Sequence, residues 1–228
     1  MYYFWDASYF YLVIPALLFA FYAQSRVRGA FEEYSRVRSS SGMTGSQAAR
    51  AILNAAGLRG VRVERVGRVL ADHYDPRARV LRLSPPVHDA SSVAAIGVAA
   101  HEAGHALQDH LGYLPLRLRN GILPLAQLGS GAAWPLFLVG FLFNSPSLMD
   151  LGILLFLGAV LFQVITLPVE YNASQRALET LRATGLVAGR EEEMVRRVLN
   201  AAALTYLAAT AMALAQLARL LILRGRRD

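Results

Sequence analysis

No cysteine occurs anywhere in the 228 residues. A disulfide framework, a thiolate metal site and a cysteine nucleophile are therefore excluded, and any transition metal must rest on imidazole and carboxylate. Lysine is absent as well, so the net charge of +7 is carried by arginine. Charged residues make up only 17% of the chain while 55% of it is hydrophobic, a balance too apolar for an ordinary soluble domain and one that points to membrane spans. The arginines flank apolar runs, and aromatic residues do not interleave with them in the way that stacks bases. Lipid headgroups and membrane topology, not nucleic acid, explain the basic character. There is no internal repeat and no low-complexity segment, and the length allows one compact unit plus a few spanning helices.

The first apolar run, residues 9–22, is preceded by a single charge, Asp6, and followed by Arg26 and Arg28. Residues 1–23 are long enough to span, with Tyr2, Tyr3, Trp5 and Tyr22 as interfacial anchors. The basic start and small-residue cleavage site of a signal peptide are missing, so the segment reads as a retained anchor. Residues 122–143 and 151–169 are two more spans, joined by the short arginine-free stretch 144–150 into a helical hairpin. A last run, 201–223, contains Gln216 and Arg219, which makes its crossing harder to assign.

Residues 24–120 are polar and arginine-rich. Thr44 with Gln47 three residues on forms a capping box for a helix that ends near Gly57. Val61-Arg62-Val63-Glu64-Arg65-Val66 alternates apolar and polar, a strand signal. Asp75-Pro76 makes a turn, and Val80-Leu81-Arg82-Leu83 reads as the returning strand of a hairpin, stopped by Pro85-Pro86. A helix then starts at Asp89 or Ser91, both good N-caps, and runs to about Gln108. The expected fold is a mainly α integral membrane protein, with a small β-hairpin near a zincin-like helix pair. Its expected segments are an anchor (1–23), a catalytic region (24–120), a transmembrane hairpin (121–169), a third-ligand helix (170–200) and a C-terminal apolar helix with a basic tail (201–228).

The chemistry lies in Val98-Ala99-Ala100-His101-Glu102-Ala103-Gly104-His105-Ala106-Leu107-Gln108. Residues four apart share a helix face, so His101 and His105 can converge on one Zn²⁺ at about 2.1 Å each. Glu102 sits on the adjacent face, where it can take a proton from water without ligating the metal. Two incidental histidines on a packed helix would not require the intervening glutamate, nor the small residues Ala94, Ala95, Gly97, Ala99, Ala100, Ala103 and Gly104. A catalytic site needs a third ligand and an open position. His110 follows His105 by five residues and points away on a continuing helix. Glu170, which closes an apolar run after Leu167-Pro168-Val169, is the better candidate, the alternative being a plain interfacial carboxylate. Glu179 and Glu191-Glu192-Glu193 read as solvated faces or caps. His73, Tyr171 and Arg176 are candidate transition-state donors, each with an equally good structural reading.

Asp72-His73-Tyr74-Asp75-Pro76, Leu81-Arg82-Leu83-Ser84, the His101 motif and Leu167-Pro168-Val169-Glu170-Tyr171-Asn172-Ala173-Ser174 together resemble the YugP-type membrane zinc metallopeptidases, over nearly the whole chain. The resemblance implies a gluzincin-like core distantly similar to HtpX-type membrane proteases, with Glu170 as third zinc ligand. It also implies an edge strand that pairs with an extended substrate, a role that falls on Val80, Leu81, Arg82, Leu83 and Ser84. The pattern departs at Asn172, where these proteins often carry Asp, and at Ser174, where HtpX-type proteases place a supporting Asp. Either Asp109 or a neutral hydrogen bond must then support a ligand histidine.

The expectation is peptide hydrolysis at zinc, with Glu102 as base, on a peptide or membrane-protein substrate in quality control or processing. Two other functions fit the same residues, a membrane scaffold with structural zinc and a hydrolase of a non-peptide substrate. Arginines crowd 24–120 and return at Arg176, Arg182, Arg190, Arg196 and Arg197, so the positive-inside rule puts the site on the cytoplasmic side of a multi-pass protein of the cell membrane.

Overall fold

The computed structural model describes residues 7–226; the anchors Tyr2, Tyr3 and Trp5 and the last two residues of the basic tail lie outside them. The elements, in chain order, are a π-helical turn (Tyr9–Val13), α1 (Ile14–Ser35), α2 (Gly45–Ala55), β1 (Arg62–Arg65), β2 (His73–Asp75), β3 (Val80–Leu83), α3 (Pro85–His88), α4 (Val93–His110), α5 (Leu114–Leu142), α6 (Pro146–Ala183) and α7 (Arg190–Gly225). Among the described residues, four helices are long and apolar enough to cross a membrane: Tyr9–Ser35, Leu114–Leu142, Pro146–Ala183 and Arg190–Gly225. By contact the chain divides into two units. One is made of Ser25–Leu116 with Val169–Ala203, the other of Met1–Gln24, Arg117–Pro168 and Leu204–Asp228.

In the first unit the expected capping box starts α2. Thr44 Oγ1 accepts from the Gln47 N–H, and Gln47 Oε1 accepts from the Thr44 N–H. The helix stops where Gly57 takes a left-handed φ of 75°. Its buried face (Ala48, Ala49, Ile52, Leu53) joins Leu81, Leu83, Val87, Ile96, Leu181, Val195 and Leu199 in one core. The start of α4 differs from expectation. Pro85 and Pro86 open the short helix α3 because proline suits a first helical turn. Asp89 then closes α3, and Ser92 caps α4 by accepting from the Ala95 N–H.

The sheet also differs. The order is β1-β3-β2, with β1 parallel to β3 (Arg62 opposite Val80) and β2 antiparallel to it (His73 opposite Arg82). The local hairpin is therefore β2–β3, and β3 is the central strand. The role expected of Val80, Leu81, Arg82, Leu83 and Ser84, pairing with a substrate along a free edge, is overturned. Both edges of β3 are already bonded to strands, and the Ser84 N–H is bound to Asp72. Val80, Leu81 and Leu83 are buried as well. The free edges belong to β1 and β2.

In the second unit Phe137, Phe141, Met149, Phe156, Val160, Leu220 and Leu223 form the core. A Cβ at Gly129, Gly140 or Gly152 would collide with the backbone or side chains of the facing helix, so these glycines set the close approach of α5 and α6. Large apolar side chains such as Phe21, Leu128 and Leu154 face outward, which suits an apolar solvent. Arg219, only 4% exposed, lies over the rings of Tyr9 at 5.2 Å and Trp134 at 5.8 Å, a cation–π setting that accommodates its charge in an apolar helix. Near the end of α7, Arg224 Nε donates to Asp150 Oδ1 at 2.8 Å.

Candidate metal centre

The centre is built within the first unit by α4 and by the part of α6 from Val169 onward. Small residues bury one side of α4 completely, with Ala99, Ala100 and Ala103 at zero exposure. Opposite Gly104 the backbone of α6 comes so near that a Cβ would lie 2.5 Å from the Ala173 carbonyl oxygen. Only glycine permits that approach. It brings the His101 and His105 turns of α4 against the Glu170–Ser174 turn of α6. Pro168 lies just before, with no N–H to give within the helix.

His101 Nε2 is 3.1 Å and His105 Nε2 3.4 Å from the same carboxylate oxygen, Glu170 Oε2. Ligand atoms of these three residues all lie within 4.8 Å of one another, and all three side chains are well shielded. The two imidazoles meet edge to face with centroids 4.8 Å apart. Their other nitrogens are held from behind by neutral groups, His101 Nδ1 with Ser174 Oγ at 3.1 Å and His105 Nδ1 with Gln108 Oε1 at 3.0 Å. An amide oxygen can only accept, so His105 Nδ1 carries the proton. Unless the ring is charged, Nε2 then offers a lone pair. A buried carboxylate at 2% exposure faces it, an arrangement that needs a cation. Burial works against a charged His105 ring, but the hydrogen bond and charge of Glu170, with smaller contributions from Glu102 and Gln108, hold its pKa above the ordinary histidine value. Two imidazoles and a carboxylate, without sulfur, are a donor set that fits Zn²⁺.

Glu102 lies on α4, buried at 9% exposure, and its charge reaches His105. Asp109, expected as one possible support for a ligand histidine, accepts instead from the Tyr74 hydroxyl at 2.9 Å, and burial together with that bond pushes the Tyr74 phenol above its ordinary pKa. Of the two possibilities, the neutral hydrogen bond is the one the structure holds. Among the candidate transition-state donors, Arg176 Nε donates to Asn172 Oδ1 at 2.7 Å, His73 lies on β2 beside Arg82, and Tyr171 is half exposed. Glu191 accepts from the Ser40 N–H at 2.6 Å and Glu192 pairs with Arg196 at 3.0 Å, so the acidic run ties down the loop before α2 and makes ion pairs. The role of Gln108 was not visible in the sequence, where its one signal was an amide three residues beyond a ligand histidine on an apolar helix.

Residues 9–225 match the family described as "Putative neutral zinc metallopeptidase". The chain belongs to that family. It is similar to the "Putative membrane protease YugP" of Bacillus subtilis (strain 168), with 50% identity over 218 residues that cover 95% of this chain and 97% of the relative. No solved structure matches the chain. The family and the relative agree with the resemblance read from the sequence motifs, and His101, His105 and Glu170 form a cluster that could hold the metal the family description names.

Proposed function

We propose that this member of the family is a membrane-embedded zinc metalloendopeptidase. His101, His105 and Glu170 hold the metal on a zincin-like helix pair, and Glu102 is the catalytic base. The observation that carries the reading is the convergence of two imidazole Nε2 atoms on one buried carboxylate, which suits a cation of the zinc type. When bound, Zn²⁺ supplies a Lewis acid that acidifies water and polarises a carbonyl. Glu102 accepts the proton of the attacking water and returns it to the leaving amine. Three protein ligands leave a fourth position open for chemistry, whereas a structural site would be closed by a fourth residue.

A place for the substrate lies along the same helix. Glu102, Ala106 and Asp109 follow one another at the i, i+4, i+7 spacing of a single face. Ala106 and Asp109 line a cavity of about 400 Å³ together with Leu58, Val61, Tyr74 and Arg79. Its apolar and polar walls suit a peptide side chain next to the bond being cut. The substrate class we infer is peptide or membrane protein, and the role is quality control or processing at the cell membrane. The arginine distribution favours a cytoplasmic site. The pairing of Arg224 with Asp150 favours a complete crossing by α7, with the charge of Arg224 offset by the carboxylate.

The test uses the full-length protein in detergent, given peptide and lipid-ester substrates with and without a chelator. Internal peptide cleavage should vanish with chelator and return with zinc. In Glu102→Gln it should fall by about 10²–10⁴ while bound zinc is unchanged. Cleavage of lipid but not peptide, or zinc binding without any hydrolysis, would overturn the reading.

A further inference from the structure

Gln108 is the largest fully buried polar side chain of the first unit, with zero exposure in a helix of alanines and glycines. A buried primary amide has to satisfy both of its ends. Its Nε2 donates to the Val169 carbonyl at 2.7 Å and to Asn172 Oδ1 at 3.0 Å. Its Oε1 meets His105 Nδ1 at 3.0 Å. Oxygen and nitrogen of an amide are told apart by their partners, and here the partners are unambiguous. Arginine can only donate, so the Asn172 atom that faces Arg176 Nε at 2.7 Å is an oxygen. The Val169 carbonyl can only accept. Each of these independently requires the NH₂ end of Gln108 toward α6, which leaves its oxygen for His105.

We propose that Gln108 is the positioning residue of the metal centre. It fixes His105 as the Nδ1–H tautomer, so that the Nε2 lone pair faces Glu170. Asn172 and the Val169 carbonyl lock the amide in that sense, and Arg176 sets its polarity. The hydrogen bonds thus converge on the Asn172 oxygen: His105 donates to Gln108, Gln108 donates to Asn172, and the guanidinium of Arg176 donates to the same oxygen from the other side. A carboxylate behind a ligand imidazole would give the ring a fuller push of charge. Here the support is neutral on both histidines, amide for His105 and hydroxyl for His101, which keeps extra negative charge out of a site that already holds Glu102 and Glu170.

Asn172 serves the relay through its oxygen, which accepts from both Gln108 and Arg176. A carboxylate can accept in the same two places, so Asn172→Asp should be tolerated. Gln108→Met, of similar length and unable to accept strongly from Nδ1, should not.

The inference rests on the metal reading above, and its test needs no peptidase assay. Zinc affinity is measured on the full-length protein in detergent by competition with a chelator. The protonation of each imidazole nitrogen is read from ¹⁵N-histidine NMR of the zinc-loaded protein. Gln108→Met should weaken zinc binding about 10- to 100-fold with unchanged helical content, while Asn172→Asp stays within about threefold of wild type. In the wild-type spectrum one ligand ring, assigned to His105 by its loss in His105→Ala, should carry its proton on Nδ1. Retention of wild-type affinity by folded Gln108→Met, or a His105 ring with no proton on Nδ1, would overturn the proposal. If Gln108→Met does not fold, the wild-type spectrum alone decides. Failure of the wild type to bind zinc at all would count against the metal reading instead.

Discussion

Replacing Gly104 with alanine adds one methyl group to the motif and tests the close helix approach that assembles the centre. The new Cβ would lie 2.5 Å from the Ala173 oxygen, 3.2 Å from its carbonyl carbon and 3.3 Å from its Cα. Ordinary contact begins at 3.4 Å, so α4 and α6 must separate locally by 3.4 − 2.5 = 0.9 Å. The obstacle is helix backbone, which cannot swing aside as a side chain could. Overpacking of this kind costs about 1–3 kcal/mol, and the better helix propensity of alanine returns about 1 kcal/mol. The variant should therefore fold, with a loss of about 0–2 kcal/mol. The metal site is far less tolerant, since ligand positions must hold to about 0.2 Å. Glu170 lies one helical turn before Ala173 and Ser174 directly after it, and both move with it, so zinc affinity should fall at least about tenfold, or about 1.4 kcal/mol. Chelator competition and thermal melting of the zinc-free protein measure the two quantities separately. Gly29→Ala in α1, where the added Cβ meets nothing within 4 Å, serves as the control and should leave both unchanged or raise stability slightly. Zinc affinity of Gly104→Ala equal to wild type would refute the packing argument.

Three more expectations follow from the same geometry. In the metal-free protein the folded-state pKa of His105 is raised from 6.5. The stability it contributes is full below that value and disappears as pH rises through the raised pKa, so the melting temperature of the metal-free protein should drop above about pH 6.5. Zinc binding should strengthen over the same range, because protons no longer compete for Nε2; melting with and without zinc across pH 5–9 (about) checks both. Gly60→Trp, at a lining position whose Cβ meets nothing within 4 Å, should fill the cavity and raise KM for peptides while kcat and zinc content stay put, and unchanged KM would remove the cavity from the substrate path. Single cysteines at the exposed positions Ser40 and Ser147, probed with an impermeant thiol reagent in intact cells, should be labelled at Ser147 only, whereas labelling at Ser40 alone would reverse the assigned orientation.

The parts of the molecule written in the sequence are those whose physics is local. The i, i+4 pair His101 and His105, the Thr44–Gln47 capping box and the apolar runs each need only a few neighbouring residues to declare themselves. Glu170 is 69 positions from His101; a carboxylate at the end of an apolar run marked it as unusual, and only the family motif tied it to the histidines. Strand order was not legible for a related reason. Alternation at 61–66 and 80–83 announces strands, but nothing local says that β1 pairs parallel with β3. The three residues of β2, beside Asp75-Pro76, look like part of a turn. Neutral support at Ser174 was one of two possibilities the motif left open, whereas the support by Gln108 was hidden because an amide has no metal chemistry of its own. Its meaning appears only when α6 brings Val169 and Asn172 to α4.

In the proposed centre two imidazoles and one carboxylate of this chain hold a single zinc ion. Zinc-edge X-ray absorption on the purified full-length protein reads these ligands directly, and the absence of cysteine excludes thiolate scattering from the start. The spectrum should show one zinc per chain with two imidazole shells at about 2.0–2.1 Å and oxygen completing the coordination, one imidazole fewer in His105→Ala, and no change in Glu102→Gln. A wild-type spectrum without imidazole scattering, or with the same two imidazoles after His105→Ala, would contradict this ligand set.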